Sequence, residues 1–174
     1  NMLTLGWSDG FSFVPIDFVM LSSAKLANRF CEMKERLSKR MPGYKRRMEA
    51  LSRKPDAVVA LLDRALEAGF SADVVLMDSW FTQAPLLREL TAKGLPVIGM
   101  VKAMKQRYRF HGQCLTLKEL YALLPKHKDK EIQGSVIVQT ACGLPVKLVF
   151  VRHRNRKRDW LVLLSTDLSL EDAE

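Results

Sequence analysis

The sequence predicts a mixed α/β fold, and three observations carry that expectation. Two apolar stretches, 74–77 and 96–101, enclose a segment with helical periodicity, the layout of a β-α-β unit. Three strand-like stretches separated by short turns follow near the end of the chain. At its start, two segments rich in strand formers flank Asp9-Gly10. Hydrophobic residues make up 48% of the 174, enough for a packed core and against global disorder.

In chain order, residues 2–8 and 11–20 read as an antiparallel hairpin closed by a type I′ turn at Asp9-Gly10, since that turn needs positive φ. Residues 22–54 form a basic connector that Pro42-Gly43 breaks into two short helices. Pro55 suits a first helical turn. Val58, Leu61, Leu62, Ala65 and Leu66 then recur at helical spacing, and Gly69 stops the helix. The run 74–77 is continuously apolar, which suits a strand buried on both faces, and Asp78 stands at its carboxyl end. A helix through Leu86, Leu87 and Leu90 ends at Gly94, and strand 96–101 should lie parallel to the first by a right-handed crossover.

Beyond it, 106–110 and 113–115 read as a hairpin around Gly112. Thr116 and Glu119 form a capping box for a helix over 117–124, stopped by Pro125. Strands over 135–140, 146–153 and 160–165 make an antiparallel meander, with turns at 142–145 and at the basic 154–159. This divides the chain into a part from 1 to 105 and a β-rich part from 106 to 174. It opens inside a hairpin and closes on what reads as a capped first turn of a helix, so it reads as a fragment.

Charge narrows the function. Lys and Arg total 28 against 19 Asp and Glu, a net charge of +9. Such a surplus favours a polyanionic partner, because each phosphate neutralised releases a counterion. Between 25 and 54, eleven Lys and Arg stand against three Glu. Arg40, Lys45, Arg46, Arg47, Arg53 and Lys54 there, and Arg154, Arg156, Lys157 and Arg158 in the last turn, are the candidate DNA contacts. Lys102, Lys105, Arg107 and Arg109 could serve likewise; for all of them a solvated surface cation is the plain alternative. Cys31, Cys114 and Cys142 lack pairing or zinc spacing and read as reduced, buried thiols of a cytosolic protein. No apolar run approaches the ~20 residues that span a bilayer, so no membrane partner is expected.

Catalytic groups of open α/β sheets collect at the carboxyl ends of strands, where Asp78 lies. Position alone leaves two readings open, a catalytic carboxylate or a cap on the helix beginning near 79–82. Trp80 and Phe81 read as packing under that helix start, or as contacts to a DNA end. Asp9 is more simply a turn-former and Asp17 a strand residue.

The runs 3–10 (Leu-Thr-Leu-Gly-Trp-Ser-Asp-Gly), 12–18 (Ser-Phe-Val-Pro-Ile-Asp-Phe) and 75–81 (Val-Leu-Met-Asp-Ser-Trp-Phe), in that order, resemble the insertion-sequence transposases of family four. The resemblance covers nearly the whole chain. It implies a partial ribonuclease H-like mixed sheet with flanking helices plus an antiparallel β-rich insertion. It also implies a DDE catalytic set in which Asp78 is the second carboxylate. The first Asp would precede the strand at residue 3. The Glu would sit on a helix beginning where the chain ends, so both fall outside it. Two Mg²⁺ or Mn²⁺ would be held by the complete set, for in-line attack on phosphodiesters of double-stranded DNA at transposon ends and target. The oligomeric state in that complex, a homodimer included, stays open. So do a ribonuclease H-like nuclease that cuts without joining and a non-enzymatic nucleic-acid-binding domain.

Overall fold

A computed structural model describes residues 1–31, 37–125, 131–155 and 159–170. The backbone separates into two compact units, Asn1–Ala72 and Asp73–Glu174.

In the first unit, β1 (Met2–Ser8) and β2 (Phe13–Met20) pair antiparallel as a two-stranded sheet. The connection is four residues long, not the two of a type I′ turn. Asp9 Oδ1 accepts the amides of Phe11 at 2.9 Å and Ser12 at 2.6 Å, and Gly10 takes φ +94°. The carboxylate satisfies two amides that a tighter turn would have paired across the strands, and so widens the loop. A 3-10 turn at Leu26–Asn28 follows. Pro42 opens a helix, α1 (Pro42–Glu49), where its missing N–H costs nothing. The short helix expected before it falls partly on 32–36, outside the described residues. Helix α2 (Lys54–Glu67) has Pro55 in its first turn and is followed by Gly69 at φ +87°. It buries Ala57, Leu61, Leu62 and Ala65, while Leu66 stays exposed. Val19, Ala57 and Leu61 form the core here, with Leu3, Leu5 and Leu21 packed on it.

The second unit is built on a seven-stranded mixed sheet in the order β3-β4-β9-β8-β7-β5-β6. Strand β3 (Val75–Met77), helix α3 (Ala84–Ala92) and strand β4 (Val97–Val101) form the expected parallel unit, with Val75 beside Val97 and Met77 beside Gly99. Strand β5 (Arg107–Phe110) turns into β6 (Gln113–Thr116) through His111 and Gly112, at φ 45° and 78°. Two consecutive left-handed residues are what a type I′ turn requires, so that geometry occurs here and not at Asp9-Gly10. Helix α4 (Leu117–Leu123) carries both halves of the Thr116–Glu119 capping box. Strands β7 (Ile132–Gln139), β8 (Pro145–Arg152) and β9 (Trp160–Ser165) make the expected meander. Its last strand pairs antiparallel with β4, from Ile98–Ser165 to Val101–Val162.

This mixed α/β sheet with helices is consistent with a ribonuclease H-like fold. Leu86, Leu87 and Leu90 of α3, Val97 and Val101 of β4, and Val162 and Leu164 of β9 are all buried. Each contributes roughly 1.5–3 kcal/mol by leaving water. Around Phe150, Tyr121 and Trp160 add ring contacts with centroids 5.3 Å away, and the Tyr121 hydroxyl bonds Gln133.

Two expectations of burial also fail. Strand β3 is not buried on both faces: among the described residues it is an edge strand with one neighbour in its sheet, and Leu76 is 72% exposed. In β4, Val97, Gly99 and Val101 are buried while Met100 is exposed, so one face is far better covered. Leu76, in register with Ile98, lies on the other. The cysteines are free, as expected, but all three are exposed. Cys114 lies on the edge strand β6 and Cys142 in the β7–β8 turn, positions that spacing does not disclose.

Candidate active site

The carboxyl ends of β3 and β4 lie side by side because the two strands are parallel and paired in register. Asp78 leaves β3 into a tight turn, exposed. Its backbone oxygen accepts the Phe81 amide at 2.9 Å and the Thr82 hydroxyl at 3.1 Å. Its Oδ1 accepts the Ser79 hydroxyl at 2.8 Å. That hydroxyl, then the Ser79 and Trp80 amides and the charge of Lys102, hold the carboxyl below its ordinary pKa, against some desolvation. Asp78 is therefore a fixed anion near neutral pH.

The capping alternative does not hold. Helix α3 starts at Ala84, its N-cap is Gln83 and that cap makes no side-chain hydrogen bond. Asp78 lies five residues before the cap and serves the turn that precedes it. Thr82 and Gly99 were not foreseen. Thr82 is only 4% exposed, and its side chain fills the space over Gly99 of β4. The close approach of the 78–82 turn to β4 thus depends on the missing Cβ at 99. No periodicity or spacing could have signalled it.

Trp80 is not packed under the helix start as one reading expected: it is 64% exposed. The Lys102 ammonium, just beyond the end of β4, stands 5.8 Å from its ring centroid. Phe81 is half-buried.

Among the described residues, no group of three or more His, Cys, Asp or Glu converges to hold a metal ion. Asp78 offers hard oxygen donors of the kind Mg²⁺ and Mn²⁺ prefer, but one carboxylate is one ligand of a set and not a site. Asp9 and Asp17 add nothing to it. Asp9 closes its turn, and Asp17 Oδ2 pairs with Arg64 Nε at 2.7 Å.

The candidate DNA contacts spread over both units. Arg40 is exposed ahead of α1, and Lys45, Arg46 and Arg47 are exposed on it. A groove of 740 Å³ between β2 and α1 is lined by Lys45, Arg46 and Arg47, and by Phe18 and Met20. Arg64 reaches it too, but Asp17 and Glu49 neutralise it. Arg53 and Lys54 start α2, and the Arg53 guanidinium is already engaged by Asp56 at 2.8 Å. Arg154 is exposed after β8. Arg156, Lys157 and Arg158 fall outside the described residues. No described helix is long and apolar enough to cross a membrane.

Fold and site together define an α/β protein with an exposed carboxylate at the carboxyl end of a parallel strand. Residues 1–118 of the 174 match the DDE superfamily endonuclease family, and the chain belongs to it. Membership implies DNA as substrate, cleavage as the reaction and, in general, divalent metal ions as cofactors. Neither the curated proteins nor the solved structures searched contain a match to the chain.

Proposed function

We propose that this chain is part of the catalytic domain of a DNA transposase related to insertion-sequence family four, with Asp78 as one of its three catalytic carboxylates. The observation that carries the reading is the placement of Asp78: exposed and ionised at the end of β3, and not spent on capping α3. Among the described residues no group of three or more His, Cys, Asp or Glu converges there. The other two carboxylates are those that the family-four resemblance assigns to segments flanking residues 1–174. Mg²⁺ or Mn²⁺, when held by all three, would supply the charge stabilisation of in-line phosphodiester attack. This chain's part is to hold one carboxylate rigidly, through Ser79, the 78–82 turn and Thr82. Arg40, Lys45, Arg46, Arg47, Arg53, Lys54 and Arg154 supply cations for the DNA backbone, and Arg156, Lys157 and Arg158 join them on sequence grounds.

The test is Asp78→Asn in a protein that carries the complete catalytic set. Cleavage and strand transfer should fall together by on the order of 10³-fold or more, the loss expected when a charge-stabilising group of phosphoryl transfer goes. Thermal stability should hold, because the residue caps no helix. A variant that still cleaves would end the catalytic assignment of Asp78.

A further inference from the structure

Beside Asp78 stand two side chains whose placement neither strand packing nor helix capping explains. Trp80, two residues further on, exposes 64% of its surface, although an indole gains most by burial. Lys102 leaves the end of the adjacent parallel strand and holds its ammonium 5.8 Å from the Trp80 ring centroid. Indole is the strongest aromatic partner for a cation, and the contact falls within the ~6 Å over which such attraction acts. Two strand ends and one turn therefore gather a carboxylate, an ammonium and an indole at one edge of the sheet.

Electrostatics gives that grouping a use. A phosphodiester approaching Asp78 meets a like charge, and near the site the lysine supplies an opposite one. A lysine ammonium is a compact point charge on a flexible stem, so a phosphate site gains when something restricts where it can sit. An aromatic face does so without consuming the three N–H donors, which stay available for phosphate oxygens.

We propose that Lys102 is the phosphate-binding cation of the Asp78 site and that Trp80 is its positioning residue, steering the ammonium toward DNA. This rests on the reading of Asp78 as a site for DNA phosphodiesters. It adds which residue meets the substrate's charge there and how that residue is held.

The 174-residue chain itself serves for the test, with a duplex DNA probe and EDTA present, so that binding is read without catalysis. Affinity is measured across salt concentrations for the wild type, Lys102→Ala, Trp80→Phe, Trp80→Ala and the Trp80→Ala/Lys102→Ala double variant. Lys102→Ala should flatten the slope of log affinity against log salt by about 0.9, the share of one phosphate. Trp80→Phe keeps an aromatic face and should bind nearly as the wild type does. Trp80→Ala should weaken binding, and the double variant should be no weaker than Lys102→Ala alone. An unchanged slope for Lys102→Ala overturns the phosphate role. Additive losses in the double variant overturn the positioning role, because Trp80 would then contact DNA in its own right. Melting temperatures of all variants should match the wild type. A large drop for Trp80→Phe as well as Trp80→Ala would make the ring a packing residue and overturn the positioning role. Because no cleavage is scored, the result stands apart from the Asp78→Asn assay. If that variant stays active while the Lys102 slope changes, only the catalytic assignment of Asp78 has failed.

Discussion

Gly99→Ala should damage the site without touching Asp78. A Cβ at 99 would meet Thr82 Oγ1 far inside van der Waals contact and would lie 3.1 Å from both Thr82 Cγ2 and Met77 Cγ. Ordinary contact begins near 3.5–4.0 Å, so Thr82 must retreat by on the order of 1 Å. Thr82 is buried and its hydroxyl donates to the Asp78 backbone oxygen, so the retreat pulls on the turn that aims the carboxylate. Replacing a strand glycine gains roughly 0.5–1 kcal/mol in backbone entropy, whereas overpacking costs roughly 1–3 kcal/mol. The clash should win, with a net loss of about 1–2 kcal/mol. Urea unfolding of Gly99→Ala, Thr82→Ala and the double variant measures it. Thr82→Ala removes two of the three crowding atoms, leaving Met77 Cγ, and should lose about 1 kcal/mol alone, for its hydrogen bond. The double variant should be less destabilised than the sum of the single ones by about 1 kcal/mol or more. In a cleavage-competent protein, Gly99→Ala should cost on the order of 10²-fold in rate, the usual effect of a 1 Å misplacement. Additivity within about 0.5 kcal/mol, or a Gly99→Ala chain as stable as the wild type, would refute the reasoning.

On the proposed reading, in which Asp78 is one carboxylate of three, residues 1–174 alone should neither cleave nor join a DNA duplex with Mg²⁺ or Mn²⁺, since one carboxylate cannot assemble a two-metal centre; metal-dependent cleavage by pure chain would contradict this. Reversing Arg46 and Arg47 to Glu, both exposed on α1 beside the basic groove, should lower DNA affinity by on the order of tenfold or more at low salt. Unchanged binding in a salt titration would make that segment a connector. Tyr108 is 1% exposed, and its hydroxyl has no hydrogen-bond partner among the protein groups described. Burial pushes its pKa from 10.0 to about 12, so its contribution to stability is whole below pH 10 and is lost as pH rises through 12. Tyr108→Phe should gain about 1 kcal/mol and lessen that alkaline loss, as unfolding curves from neutral pH to pH 11 would show. Thr116→Ala removes the α4 capping box and should cost about 1 kcal/mol in the same assay.

Much of this architecture could be read from local signals because the interactions behind them are local. The Thr116–Glu119 box, Pro55 in the first turn of α2 and the stop at Gly69 each involve residues a few positions apart. Alternation and helical spacing placed the meander, the β5–β6 hairpin and the parallel β3–β4 pair for the same reason. Asp78 could be singled out because a strand followed by a helix locates the strand's carboxyl end before anything is known of its neighbours. Features that depend on what lies across space were not legible. The continuous apolar run of β3 could not reveal an edge strand with Leu76 in solvent, because burial is set by neighbours contributed from elsewhere in the chain. Three well-spaced cysteines gave no sign of which faces they occupy. The capping reading of Asp78 failed because the length of the turn before α3 depends on the fit of Thr82 over Gly99, a contact across 17 residues. The same reason applies to Trp80, which packing preference would bury and which the lysine at the end of the next strand meets in the open. The sequence by itself determined which elements form and that a carboxylate stands at the end of a strand. Tertiary structure decided which faces are covered, that β9 docks beside β4, and what surrounds that carboxylate, because those depend on close packing between segments that local signals never compare.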